Sequence, residues 1–108
     1  MSPITTHVLD TAKGCPAKNI PVTLEFLSND QWSIVAQGLT DDDGRIMDWM
    51  TQQAQTGEYR ISFTTASYHE NKGFFPSVTI NFMIDNPEQH YHVPLLLSPF
   101  SFSTYRGS

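Results

Sequence analysis

Four stretches of the chain alternate apolar and polar residues with a period of two, and that rhythm leaves little room for anything but β-structure. In "IPVTLEFL", Ile20, Val22, Leu24 and Phe26 fall on one side, with Thr23 and Glu25 on the other. In "GEYRISFTT", Tyr59, Ile61 and Phe63 oppose Glu58, Arg60, Ser62 and Thr64. In "SVTINFMI", Val78, Ile80, Phe82 and Ile84 oppose Ser77, Thr79 and Asn81, and "WSIVAQ" (Trp32 to Gln37) alternates likewise. Successive side chains of a strand point to opposite faces, so each run reads as a half-buried strand. The runs are also rich in β-branched and aromatic residues, which suit a pleated surface.

Turn chemistry separates the runs: Lys13-Gly14, Ser28-Asn29-Asp30, Asp43-Gly44, Thr56-Gly57 and Asn86-Pro87. "ITTHVLD" near the start, and "YHVPLLL" and "FSFSTYR" near the end, add further strands. Seven or eight short strands at this spacing predict an all-β antiparallel sandwich. The one stretch that predicts a helix is "TASYHENKG" (Thr65 to Gly73), with Gly73 as its stop and Pro76 beyond. Pro94 interrupts the backbone donors of an apolar strand, so one edge there is expected to go unpaired or bulged. The apolar run Val93 to Leu97 also suits cover by another subunit. The length of 108 residues is enough for one domain, residues 1–108, with no linker or repeat in view.

Charge narrows the partners. The net charge is −5, which argues against nucleic acid and anionic membranes, since both favour a basic face. No apolar run approaches the ~20 residues of a membrane span. A lone cysteine, Cys15, excludes a disulfide within the chain and reads as a buried or idle thiol. "MSPITTHVLD" shows no signal peptide, which favours a cytoplasmic location.

Few residues carry chemistry. His7 shares a strand face with Thr5 and Leu9, where a lone histidine is usually structural or on the surface. His90 and His92 are two apart and point to the same side of a strand. The pair can be solvated, catalytic or metal-binding, and histidine suits proton transfer near neutral pH. No Cys-x-x-Cys or His-Glu-x-x-His pattern supports a metal. Arg45 follows the "DDDG" turn, where an arginine is normally solvated; the acidic run lacks the ligand spacing of a calcium loop. Ser98, Ser101 and Ser103 lack a nucleophile-elbow pattern. The chain ends on "TYRGS", an unusual polar close to an apolar strand.

Taken together, "THVLDTAKGCPA", "DDDGR", "FFP" and "HYHVPLLLSPFSFSTYRGS" resemble the transthyretin-related proteins, and within them the 5-hydroxyisourate hydrolases. The likeness is collinear over essentially the whole chain, and the terminal Tyr-Arg-Gly-Ser is its most specific part. It implies a transthyretin-like (prealbumin-like) β-sandwich of two four-stranded sheets with one short helix. It implies a homotetramer, a dimer of dimers, with shallow sites in a central channel. It implies hydrolysis of 5-hydroxyisourate to 2-oxo-4-hydroxy-4-carboxy-5-ureidoimidazoline in urate catabolism, without metal or other cofactor.

The same likeness assigns the residues. His7, Arg45 and His92 match the hydrolase positions, as do Tyr105, Arg106, Gly107 and Ser108. The two histidines are expected to activate water against a ring carbonyl, and Arg45 to stabilise the negative charge that develops. Tyr105 to Ser108 are expected to bind substrate beside His7 and Arg45. His90 is left at the rim. "SPFSF" carries phenylalanine where relatives often carry tyrosine, away from these positions. The rival reading is a carrier of the same fold, holding an aromatic ligand in the channel without turning it over. A carrier has no use for two imidazoles and a guanidinium converging on an apolar channel, whose desolvation is costly. A structural module of this fold is a further rival, weakened by the terminal tetrapeptide, which it would not need.

Overall fold

The alternating runs become strands whose apolar faces meet. The computed structural model describes residues 1–107. It contains β1 (Ile4–Asp10), β2 (Cys15–Pro16), β3 (Pro21–Ser28), β4 (Gln31–Leu39), β5 (Arg45–Ile46), β6 (Gly57–Thr64), β7 (Ser77–Ile84), β8 (Tyr91–Leu97) and β9 (Phe102–Thr104). One sheet runs β4-β3-β6-β7, all antiparallel. The other runs β2-β1-β8-β9, with β5 also on β1. It therefore has five strands rather than four, because β2 and β5 are short and follow one another along one edge of β1.

The core lies between the sheets. Ile4, Val8, Leu95 and Leu97 come from the first sheet and Val22, Leu24, Ile61 and Phe63 from the second, all at most 1% exposed. Close packing of such side chains is the main source of stability in a chain this size. On the outer face of the second sheet, Arg60 grips the Glu25 carboxylate through Nε at 2.7 Å and Nη2 at 3.1 Å. Its guanidinium also stacks on Trp32, 4.2 Å from the ring centre.

Three features depart from the expected pattern. First, β1 and β8 run parallel, pairing Thr5 with His92 and His7 with Pro94. Second, Trp32 and Ile34 do not share a face with Ala36. The register of β3 on β4 shifts at Leu24/Glu25, leaving Val35 unpaired as a bulge. Ile34 is therefore 60% exposed while Ala36 is buried. Third, the helix expected over Thr65 to Gly73 does not form, and no helix occurs among the described residues. Only one bond of α-helical span forms there, His69 N to Thr65 O; Glu70 N to Ser67 O spans three residues and Asn71 N to Ala66 O five. Glu70 and Asn71 then enter the left-handed region at φ 54° and 62°, which curls the chain into turns. Tyr68 pins this segment to β1, its hydroxyl donating to the Asp10 carboxylate at 2.6 Å. Cys15 is exposed rather than buried.

Candidate active site

The outer face of the β1–β8 pair carries the candidate residues. Inward-pointing Ile4, Thr6 and Val8 alternate with Thr5, His7 and Leu9, and β8 alternates likewise, so His92, Pro94 and Leu96 join the outer set. The parallel register sets Thr5 beside His92 and puts the His7 and His92 rings 6.5 Å apart. Two residues with 84 others between them in sequence thus become neighbours.

Arg45 reaches this face through its turn. The Asp41 carboxylate accepts the backbone N–H groups of Asp43 and Arg45, both at 2.9 Å, which shapes the loop. Gly44 has φ 74°, and its carbonyl accepts Val8 N–H at 2.7 Å. A Cβ there would lie 2.4 Å from the Val8 carbonyl oxygen, so only glycine lets the loop come this close. The next residue is Arg45, directly across from His7.

The tail is tied to His92. β9 pairs with β8 from Leu95↔Thr104 to Leu97↔Phe102, and the contact returns at His92↔Gly107. Between them stands Pro94, which has no N–H to give. Its carbonyl instead accepts the Thr104 hydroxyl at 2.7 Å, as the expected interruption requires. Gly107 N–H donates to the His92 carbonyl at 2.8 Å. A Cβ on Gly107 would lie 2.7 Å from His92 Cδ2, so the backbone itself forms a wall against the ring.

Tyr105 and Arg106 make different contacts. Tyr105 is 58% exposed and, with Arg106, His92, Phe82 and Met83, lines a groove of about 310 Å³. Arg106 stays exposed and folds along the surface, 4.3 Å over the Tyr91 ring and donating to Gln89 Oε1 at 3.1 Å. His7 and Arg45 lie outside this groove, beyond His92. Ser108 lies outside the described residues.

Burial lowers the pKa of both histidines below the ordinary 6.5. For His7 the Arg45 charge adds to burial, against the Asp43 backbone and the Asp41 and Asp43 carboxylates, which pull upward. For His92, His7, His90 and Arg45 all push in the same direction as burial. Both imidazoles are therefore held neutral near pH 7, the form able to accept a proton. The sequence reading missed Thr5. It is fully buried, and its Oγ1 lies 2.7 Å from His92 Nδ1 and 2.9 Å from His90 Nε2. The one hint in sequence was its place two residues before His7. With one nitrogen each aimed at Thr5, His90 and His92 are arranged around a hydroxyl rather than as a chelating pair.

An anionic or anion-forming ligand would meet Arg45 beside two neutral bases on this face. Residues 4–107 match the HIUase/Transthyretin family. The chain belongs to that family. A 5-hydroxyisourate hydrolase of Salmonella dublin is 43% identical over 109 residues, covering 97% of this chain and 80% of that protein. Sea bream transthyretin in complex with thyroxine superposes with a TM-score of 0.89 at 33% identity, over 97% of this chain and 94% of its own. The 5-hydroxyisourate hydrolase of Klebsiella pneumoniae superposes with a TM-score of 0.85 at 30% identity, over 97% and 98%. Within the HIUase/Transthyretin family the fold thus serves both a thyroxine-bound protein and a hydrolase, and only the residues of the site can separate the two activities.

Proposed function

We propose that this chain hydrolyses 5-hydroxyisourate, opening its ring to 2-oxo-4-hydroxy-4-carboxy-5-ureidoimidazoline during urate breakdown. The observation that carries this reading is the meeting of His7, Arg45 and His92 on one sheet face, with burial holding both imidazoles neutral. Ring opening needs a water, a base to take its proton, and positive charge where the carbonyl oxygen becomes negative. In this reading His7 and His92 position and deprotonate the water. Arg45, with its planar fork of donors, holds the substrate oxygens and stabilises the transition state. Tyr105 and Ser108 touch the substrate, Gly107 shapes the pocket against His92, and Arg106 locks the tail through Tyr91. The chemistry calls for no metal or other cofactor.

The working form in this reading is a homotetramer, a dimer of dimers, acting in the cytoplasm. The site lies on an open sheet face, and packing a second such face against it would close a channel and exclude water. Desolvation of that kind strengthens every charge interaction inside. The carrier reading is weaker, because transporting an aromatic ligand gives no role to two neutral imidazoles beside a guanidinium.

The test is the ultraviolet decay of 5-hydroxyisourate, generated in place by urate oxidase, with and without the protein. His92→Ala and a truncation ending at Thr104 run alongside. Fast decay lost in both variants supports the hydrolase and its tail. Decay no faster than the spontaneous background removes the enzyme reading and leaves the carrier.

A further inference from the structure

Thr5 has one proton to give and two imidazoles around it. Its Oγ1 lies 2.7 Å from His92 Nδ1 and 2.9 Å from His90 Nε2, and the residue is fully buried. A buried hydroxyl donates its proton to a partner, and these two ring nitrogens are its only partners among the described residues. So one ring nitrogen must be a bare acceptor, and the other can then carry a proton and donate back to Oγ1. Two arrangements satisfy this. Either His92 Nδ1–H donates to Thr5, which donates to His90 Nε2, or the whole chain runs in reverse.

The two differ at His92. In the first, Nδ1 holds the proton and Nε2 carries a lone pair. In the second, Nε2 holds the proton and the ring has no basic nitrogen left for a water. We infer that Thr5 is a positioning residue that fixes His92 in the Nδ1-protonated tautomer, with His90 as the acceptor that sets the direction of the chain. This rests on His92 serving as a base in the hydrolysis proposed above. It gives His90 a purpose: without an acceptor, Thr5 would be free to donate to His92 Nδ1 and select the wrong tautomer. It also explains a threonine at a fully buried place on the outer face, since a valine of the same shape would fill the space but hold no proton.

The experiment reads the proton directly. Long-range nitrogen–proton NMR spectra of the ¹⁵N-histidine-labelled chain, above pH 7 and without substrate, report which ring nitrogen is protonated. The expected result is His92 protonated at Nδ1 and His90 protonated at Nδ1 in the wild type. Thr5→Val and His90→Phe should each mix or reverse the His92 tautomer, and Thr5→Ser should restore it. In the decay assay, Thr5→Val should lower kcat on the order of 100-fold, the low end of what a positioned base supplies. KM should move by less than about threefold, since Thr5 does not touch the substrate. Wild-type His92 protonated at Nε2, or a tautomer unchanged in Thr5→Val, overturns the inference. The wild-type spectrum decides even where Thr5→Val fails to fold. A chain that shows the fixed tautomer but does not hydrolyse 5-hydroxyisourate would refute the function and keep the lock. A fast hydrolase with His92 protonated at Nε2 would do the opposite.

Discussion

At Gly107 a hydrogen stands where any other residue would place carbon 2.7 Å from the His92 ring. Gly107→Ala must therefore push either the tail or the imidazole aside. Misplacing a reacting group by a fraction of an ångström is costly, so kcat/KM should fall at least ~10-fold. The melting temperature should change little, because the tail is mostly exposed; the decay assay and a circular-dichroism melt check the two parts. The histidines also fix a pH response. His7 and His92 have folded pKa values below 6.5, and the proposed reaction uses their neutral forms. The rate should hold steady as pH falls past 6.5, then drop as the lowered pKa values are crossed. Stability follows the same sign: below pH 6.5 the unfolded chain binds protons that the folded one refuses, so unfolding becomes easier as pH falls and levels off beneath the folded values. A pH series of kcat and of urea midpoints tests both. His7, Arg45 and His92 were legible through their motifs, and the structure brings them together. Thr5 was not legible, because a strand threonine is ordinary and its two partners lie 85 and 87 residues away.

Elements repeat the lesson at a larger size. β3, β6 and β7 were legible because each alternates cleanly and buries one face, so the period of two survives folding. β4 was only half legible. Its alternation from Trp32 to Ala36 is real in sequence, but the bulge at Val35 resets the faces, and a bulge leaves no mark in polarity. The stretch from Thr65 failed because hydrogen bonds to Pro76 and Asp10 hold it in turns, overriding its local helix preference. The turn before β5 supplies a test at this scale. Gly44→Ala places carbon 2.4 Å from the Val8 oxygen at a φ of 74°, with backbone on both sides and nothing flexible to yield. It should lose at least ~1–3 kcal/mol of stability. It should also lose activity beyond that, because Arg45 would no longer stand across from His7. Urea unfolding and the decay assay, run at a temperature where the variant stays folded, separate the two losses.

Over the whole molecule the two sheets treat their outer faces differently. The β4-β3-β6-β7 face carries Glu25, Arg60, Glu58 and Asn81, paired among themselves, beside the exposed aliphatic Ile34 and Met83. Near the other sheet, Phe74, Phe100 and Tyr105 stand 70%, 73% and 58% exposed. Exposed aromatic groups concentrated at one sheet suit burial by further copies of the chain. Sedimentation equilibrium should give four times the 12.2 kDa chain mass, and Phe100→Asp should lower the association state. A monomer with full activity would rule out the shared channel. The sandwich class was legible from strand spacing, whereas the parallel β1–β8 pair was not, because alternation reveals faces but not neighbours.

That parallel pair has a consequence for how the protein is made. β1 emerges from the ribosome well before β8, its partner along one whole edge. Thr5 and His92 are 87 residues apart, a delay on the order of ten seconds at the usual pace of synthesis. For that time the nascent chain carries an open strand edge with an imidazole on it and no partner to close it. Such an edge is a template for wrong pairing, so the wait is a window for chaperones or for a neighbouring nascent copy.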